Sequence, residues 1–91
     1  MMSRGQLIRE VARRTDYTIA VCDEIIKETF NTMADELEGH GEVRIPAFGR
    51  FVCKMFAGRH MTLPSGDSYM SEDHLEPKFL PSATLKQRVR S

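Results

Sequence analysis

Between residues 47 and 66 the chain carries Arg50, Lys54, Arg59 and His60 and no acidic residue. A second basic group, Lys86, Arg88 and Arg90, lies in the last few residues. Side chains of these types neutralise phosphate oxygens, and a run of cations without counter-charges favours an anionic partner over a merely solvated face. The charge divides accordingly along the chain. Residues 1–45 hold six Lys or Arg against nine Asp or Glu, whereas residues 46–91 hold seven against four. A polyanion is therefore met by the second half, although the whole chain is neutral at pH 7. Acids return immediately after the first basic group, as Asp67, Glu72, Asp73 and Glu76. His60 adds charge only if a phosphate raises its pKa.

The other reactive side chains do not form catalytic or metal-binding patterns. His40, His60 and His74, with Cys22 and Cys53, show neither C-x-x-C nor H-x-x-x-H spacing, so no metal site is expected. No glycine-rich phosphate loop follows a strand pattern, and no nucleophile sits in an elbow motif. Ser65, beside Gly66, reads as a turn serine. Neither an enzyme nor a cofactor is expected. Both cysteines lie in apolar segments and read as reduced core residues of a cytoplasmic protein, with no disulfide between them. The longest apolar run, Ile19 to Cys22, spans four residues. Roughly 20 are needed to cross a bilayer, and no secretory pattern opens the sequence.

The elements that position the basic groups follow from hydrophobic period. Ser3 and Gln6 have capping-box spacing, and Leu7, Ile8, Val11 and Ala12 share one helical face after them. This helix stops near Thr15-Asp16-Tyr17, and Thr18 caps the next. The second helix runs from about Ile19 to Glu38. Cys22, Ile25, Ile26, Thr29, Phe30, Met33 and Leu37 recur at three and four residues and give a broad apolar stripe. Gly39-His40-Gly41 ends it, with either glycine suited to the left-handed cap. The period then changes to alternation over Glu42–Ile45 and again over Arg50–Phe56, with Ala47-Phe48-Gly49 joining the two strands. Gly58, Pro64 and Gly66 mark a turn region, and a return strand is expected from Ser68 to about Leu75. Pro77 to Ser82 lead into a short basic helix ending near Arg90.

Two consequences are physical. The second helix exposes more apolar surface than one small sheet and one short helix cover, which points to self-association. A two-stranded hairpin reaching beyond its sheet is marginally stable alone, so such an arm moves until a partner orders it.

This order of elements, with its specific residues, resembles the HU/IHF family of bacterial architectural DNA-binding proteins. Leu7-Ile8-x-x-Val11-Ala12 resembles the family's opening helix. Val43-x-Ile45-x-Ala47-Phe48-Gly49-x-Phe51 resembles its V-x-I-x-G-F-G-x-F turn. Pro64 with Gly66 resembles the N-P-x-T-G arm tip, with one residue missing between them. Phe79-Leu80-Pro81-Ser82-x-x-Leu85-Lys86 resembles F-K-P-G-x-x-L-K. The match spans residues 3 to 90. The chain departs from the pattern at Ala47, where the family has glycine and where alanine is tolerated if its φ is negative. It departs again at Thr62 and Leu63 in place of Arg-Asn, and at Phe56 and Leu80, where a basic residue is frequent.

The resemblance implies an α+β fold. Two N-terminal helices precede a three-stranded antiparallel sheet with a long β-arm hairpin and a short C-terminal helix, in an intertwined dimer. Residues 1–45 would be the helical dimerisation part, 46–77 the sheet and arm with its tip at about 57–68, and 78–91 the last helix. By position Pro64 would be a wedge in the DNA minor groove, the mechanism known for HU and IHF. Lys54 and Arg59 would be the arm cations, and Lys86, Arg88 and Arg90 phosphate contacts from the body. Arg50 and His60 join them as candidates on the outgoing limb. Phe30, Met33, Leu37, Phe48, Phe51 and Phe79 would form the shared core. The expected partners are duplex DNA and a second copy, with a related HU-like chain as a possible heterodimer partner, and no membrane. The expected place is the nucleoid. Balanced charge, the acidic return limb and the apolar tip residues Met61 and Leu63 keep a second reading open: a dimeric protein-interaction module with weak or no DNA binding.

Overall fold

The computed structural model describes residues 1–58, 60–70 and 72–90, which divide into two compact units, Met1–Asp35 and Glu36–Ser91. In the first unit, helix α1 spans Arg4–Thr15. Its capping box is complete: the Gln6 N–H donates to Ser3 Oγ at 3.2 Å, and the Ser3 N–H donates to Gln6 Oε1 at 2.8 Å. Asp16 ends the helix in the left-handed region with φ 62°, its N–H donating to the Ala12 carbonyl. Helix α2, Ile19–Glu38, opens on Thr18, whose Oγ1 accepts the Val21 N–H at 3.1 Å. Ile8 and Cys22 form the small core at 4% and 2% exposure. Thr15 Oγ1 lies 3.8 Å from the thiol of Cys22.

The last residues of α2 belong to the second unit and end in a paired cap. The His40 N–H donates to the Leu37 carbonyl and the Gly41 N–H to the Glu36 carbonyl, a Schellman pattern. The left-handed residue is His40, with φ 63°, not either flanking glycine. Glycine 41 instead takes the following position, where it completes the second hydrogen bond.

The sheet of the second unit contains β1 (Val43–Ile45), β2 (Gly49–Phe56) and β5 (His74–Pro81), ordered β1-β2-β5 and antiparallel throughout. A separate two-stranded ladder, β3 (His60–Thr62) with β4 (Ser68–Met70), forms the arm, and α3 (Ala83–Arg90) follows the sheet. The α+β architecture matches the expectation, but the return limb does not. It is broken into β4 and β5, and β5 runs through Pro77-Lys78-Phe79-Leu80 to Pro81, where the sequence suggested a lead-in to the last helix. Proline lacks a ladder donor and is tolerated on an edge strand, the position β5 occupies here. The sheet therefore begins at Val43, within the alternating segment Glu42–Ile45, and ends at Pro81.

The β1–β2 corner is tight. Ala47 has φ 66°, against the negative value expected for a residue with a Cβ. Gly49 is buried, and a methyl group there would lie 2.6 Å from Phe79 Cε1 and 2.7 Å from the Leu80 carbonyl oxygen. The ring of Phe79 thus packs directly on this backbone, 5.5 Å from the Phe48 ring and 4.9 Å from that of Phe51. Cys53 donates its S–H to the Leu37 carbonyl at 3.1 Å. Of the expected shared core, Met33, Leu37 and Phe51 are half-buried within one chain. Phe30, Phe48 and Phe79 remain 54%, 45% and 38% exposed.

Candidate nucleic-acid interface

Alternation along β2 sorts its side chains onto two faces. Gly49, Phe51, Cys53 and Met55 share one face with their cross-strand partners Pro81, Phe79, Pro77 and Leu75. Arg50, Val52, Lys54 and Phe56 share the other with Leu80, Lys78, Glu76 and His74. Arg44, paired to Arg50 from β1, adds to that second face. One face is apolar and the other carries Arg44, Arg50, Lys54 and Lys78. Arg44 and Lys78 are additions to the residues legible in the sequence. Lys78 was concealed because the two prolines disguised its strand, whereas Arg44 was visible as the outward residue of Val43-Arg44-Ile45.

The basic face is partly neutralised from within. Glu42 Oε1 lies 3.1 Å from an Arg44 guanidinium nitrogen and 3.5 Å from one of Arg50. Glu76 is the cross-strand partner of Lys54 and lies 3.4 Å from His74 Nε2. The His74 pKa is raised by its hydrogen bond to the Glu72 carbonyl, then by Glu76. Asp73 accepts the Gly58 N–H and so ties the outgoing limb to the return limb. The carboxylates of Asp73 and Glu76 on the return limb thus have local structural partners. Arg44 and Arg50 also border a concavity of about 480 Å³, together with Pro46, Ala47, Leu80 and Ser82.

The arm narrows to a turn over Leu63–Asp67, tighter than the expected tip of 57–68. The Gly66 N–H donates to the Leu63 carbonyl at 2.9 Å, and the Leu63 N–H donates to the Asp67 carbonyl at 2.7 Å. Pro64 occupies the second turn position, which suits its fixed φ, and Gly66 has φ 93°, as in a type I turn closed by a glycine bulge. Pro64 is exposed at this tip, flanked by Leu63 at 43% exposure. His60 opens β3 opposite Met70 and is exposed. Arg59 lies outside the described residues. Lys86, Arg88 and Arg90 are exposed on α3, which is capped by Ser82 Oγ accepting the Leu85 N–H at 3.0 Å. Lys86 and Arg90 are one turn apart on one side of the helix, and Arg88 lies away from them. The sheet and the helix supply cations and the hairpin supplies a proline tip.

In the first unit Arg4, Arg13, Arg14 and Lys27 are held by acids. Arg13 and Arg14 both bond Glu10, which holds its pKa down at about 2, and Arg4 meets Asp23 at 2.8 Å. Among the described residues no group of three or more His, Cys, Asp or Glu is arranged to hold a metal ion. No helix among them is long and apolar enough to cross a membrane.

A helical pair, a three-stranded antiparallel sheet and a proline-tipped hairpin define a class of architectural DNA-binding proteins. The family described as bacterial DNA-binding protein matches residues 2–90, and the chain belongs to this HU/IHF family. It is 32% identical to the integration host factor subunit beta of Shewanella loihica over 90 residues, covering 97% of this chain and 95% of that protein. The corresponding subunit of Shewanella halifaxensis matches to the same extent. The fold is similar to that of Anabaena HU in a cocrystal with DNA, with a TM-score of 0.92 at 19% identity over 97% of both chains. It is also similar to an HU mutant from Thermotoga maritima, with a TM-score of 0.74 at 22% identity over 97% of this chain and 99% of that one.

Proposed function

We propose that the protein binds duplex DNA as a dimer and bends it, with cations on the sheet face and on α3 meeting phosphates and Pro64 entering the minor groove. The observation that carries this reading is the placement of Pro64, exposed in the second position of the turn that closes the arm. Proline has no side-chain rotamers to freeze and no N–H to leave unsatisfied, so it enters a base stack cheaply. Unstacking costs a few kcal/mol, which is recovered when bent DNA reaches more cationic surface. The chain supplies that surface sparingly, so nicked, gapped or mismatched duplex is preferred. Affinity runs on phosphate contacts and carries little sequence preference. The protein is architectural rather than catalytic and works in the cytoplasm at the nucleoid.

Dimerisation is supported by the apolar surface left open by one chain, with Phe30, Phe48 and Phe79 exposed beside half-buried Met33, Leu37 and Phe51. The similarity to proteins named as the beta subunit of integration host factor supports a heterodimer with a related chain as well as a homodimer. Sedimentation of the purified chain together with melting at several concentrations tests this. A monomeric mass with concentration-independent melting excludes the dimer. DNA binding is tested by titrating a labelled short duplex at low salt and following the distance between its ends. Binding without shortening removes the bending role.

The second reading, a dimeric protein-interaction module, is favoured by one observation. Met61, Leu63, Tyr69 and Met70 leave the hairpin apolar, with exposures from 40% to 66%. Absence of DNA binding at low salt selects it.

A further inference from the structure

We propose that His74 is a proton-operated clasp at the root of the arm, closed when its ring carries two N–H groups and open when it carries one. The inference goes beyond the DNA-binding reading and does not depend on it. The arm leaves the sheet through a joint. The β2–β5 ladder ends at the pair Phe56 and His74, and the arm ladder begins at His60 and Met70, with residues 57, 58, 72 and 73 in neither. Across that joint the Gly58 N–H donates to the Asp73 carboxylate. His74 stands at its edge and meets three parts of the chain at once. Its Nδ1 lies 3.2 Å from the Glu72 carbonyl oxygen, its Nε2 lies 3.4 Å from Glu76 Oε1, and its ring stacks on Phe56 of β2.

Both ring nitrogens thus face oxygens that only accept. A neutral imidazole has one N–H and one lone pair, so it satisfies one of these oxygens and turns a lone pair towards the other. The imidazolium donates to both, and its charge also favours the face of the Phe56 ring. The carboxylates of Glu72, Asp73 and Glu76 on the return limb favour the proton. Lys54, paired with Glu76 from β2, and Lys78, 5.9 Å from the centre of the Phe56 ring, oppose it. The acceptors prevail, which agrees with the raised pKa of His74. The clasp is therefore closed below about pH 6.5 and opens as pH rises through the higher folded-state value. Opening frees the return limb from the ring and leaves the Gly58–Asp73 bond to hold the joint. The side chains of His74 and Glu76 are 51% and 50% exposed, so the clasp is weak and reversible.

The test follows amide-exchange protection, corrected for the intrinsic pH dependence of exchange, in the full chain without DNA. Residues 60–70 report the arm and the amides of β2 serve as the reference. Between about pH 8 and about pH 5.5, protection of the arm is expected to rise about 2- to 5-fold relative to β2, the range an exposed ion pair sustains. His74→Gln presents one donor and one acceptor at any pH, so its arm protection is expected to stay flat. Glu76→Gln keeps an acceptor oxygen but loses the charge, so its response is expected to shrink and move to lower pH. An arm that does not respond in wild type would overturn the clasp. So would an equal response in His74→Gln, or a change in β2 as large as that in the arm, which would mark a global effect on stability.

Discussion

Phe56 and His74 are cross-strand partners at the arm end of the β2–β5 ladder, and their rings stack with centroids 5.9 Å apart and planes 19° apart. The ammonium of Lys78 also lies 5.9 Å from the centre of the Phe56 ring. Position 56 is frequently basic in the family that the sequence resembles. Here an aromatic ring in that place serves as a platform beside one cation and one titratable imidazole. Charge lost at one position is thus partly restored by neighbours on the opposing strand.

His74 gives a pH dependence with a definite sign. His74 has a pKa raised above 6.5 by the Glu72 carbonyl first and then by Glu76. Its contribution to stability is therefore fully present below about pH 6.5 and is lost as pH rises through the higher folded-state value. His74→Gln should flatten the melting-temperature profile across that window. An unchanged profile would remove the histidine from the account. Protonation also adds a positive charge at the arm root, so DNA affinity should rise as pH falls through the same window, in wild type more than in the variant.

Three residues with a Cβ sit in the left-handed region, Asp16 with φ 62°, His40 with φ 63° and Ala47 with φ 66°. Such a conformation costs an L-residue about 1–2 kcal/mol, partly offset by the greater unfolded-state entropy of glycine. Ala47→Gly and His40→Gly should each stabilise the protein by about 0.5–1 kcal/mol, read as a shift in the denaturation midpoint. Destabilisation by either would show that the side chain contributes more than its backbone strain.

Gly49 should behave in the opposite sense. Its position against Phe79 and the Leu80 backbone leaves no space for a methyl group. Gly49→Ala should cost about 1–3 kcal/mol as the ring and strand β5 are pushed away. The near-ultraviolet spectrum and urea midpoint report it together, and a wild-type midpoint would mean that the corner yields without cost.

DNA binding should be steeply salt-sensitive. If the dimer neutralises about six phosphates, the log–log salt slope is near −5. Lys54→Ala should reduce its magnitude by about one to two units, because both copies lose a contact. Pro64→Ala should leave the slope nearly unchanged while reducing bending, measured as energy transfer between the ends of a short duplex. Equal bending by that variant would contradict the wedge role.

Helices were the most legible part of the sequence because each start and stop has a chemical marker. Ser3 with Gln6, Asp16, and Thr18 all act at the positions their side chains suggest. The turn at Pro64 and Gly66 was equally clear, since φ restraint and φ freedom fall in the order a tight hairpin needs. Strand β5 was obscured by Pro77 and Pro81, which normally argue against a strand and are accommodated here at a sheet edge. The His40 cap was missed because adjacent glycines offered a cheaper left-handed residue. The Glu42–Arg44–Arg50 group could not be recognised from spacing alone, because Arg44 and Arg50 meet only through the strand register.

The unequal ladders have a consequence for the lifetime of the free protein. Strand β2 pairs with β5 through eight register positions, whereas β3 and β4 share three. Amide protons of the hairpin should therefore exchange with solvent long before those of β2, through openings that leave the sheet intact. A protease supplied in trace amounts would meet the same openings, so the first cut is expected between His60 and Met70. Occupancy on a duplex would close that route, and the nucleic acid would act as a protective sheath that sets how long each arm survives.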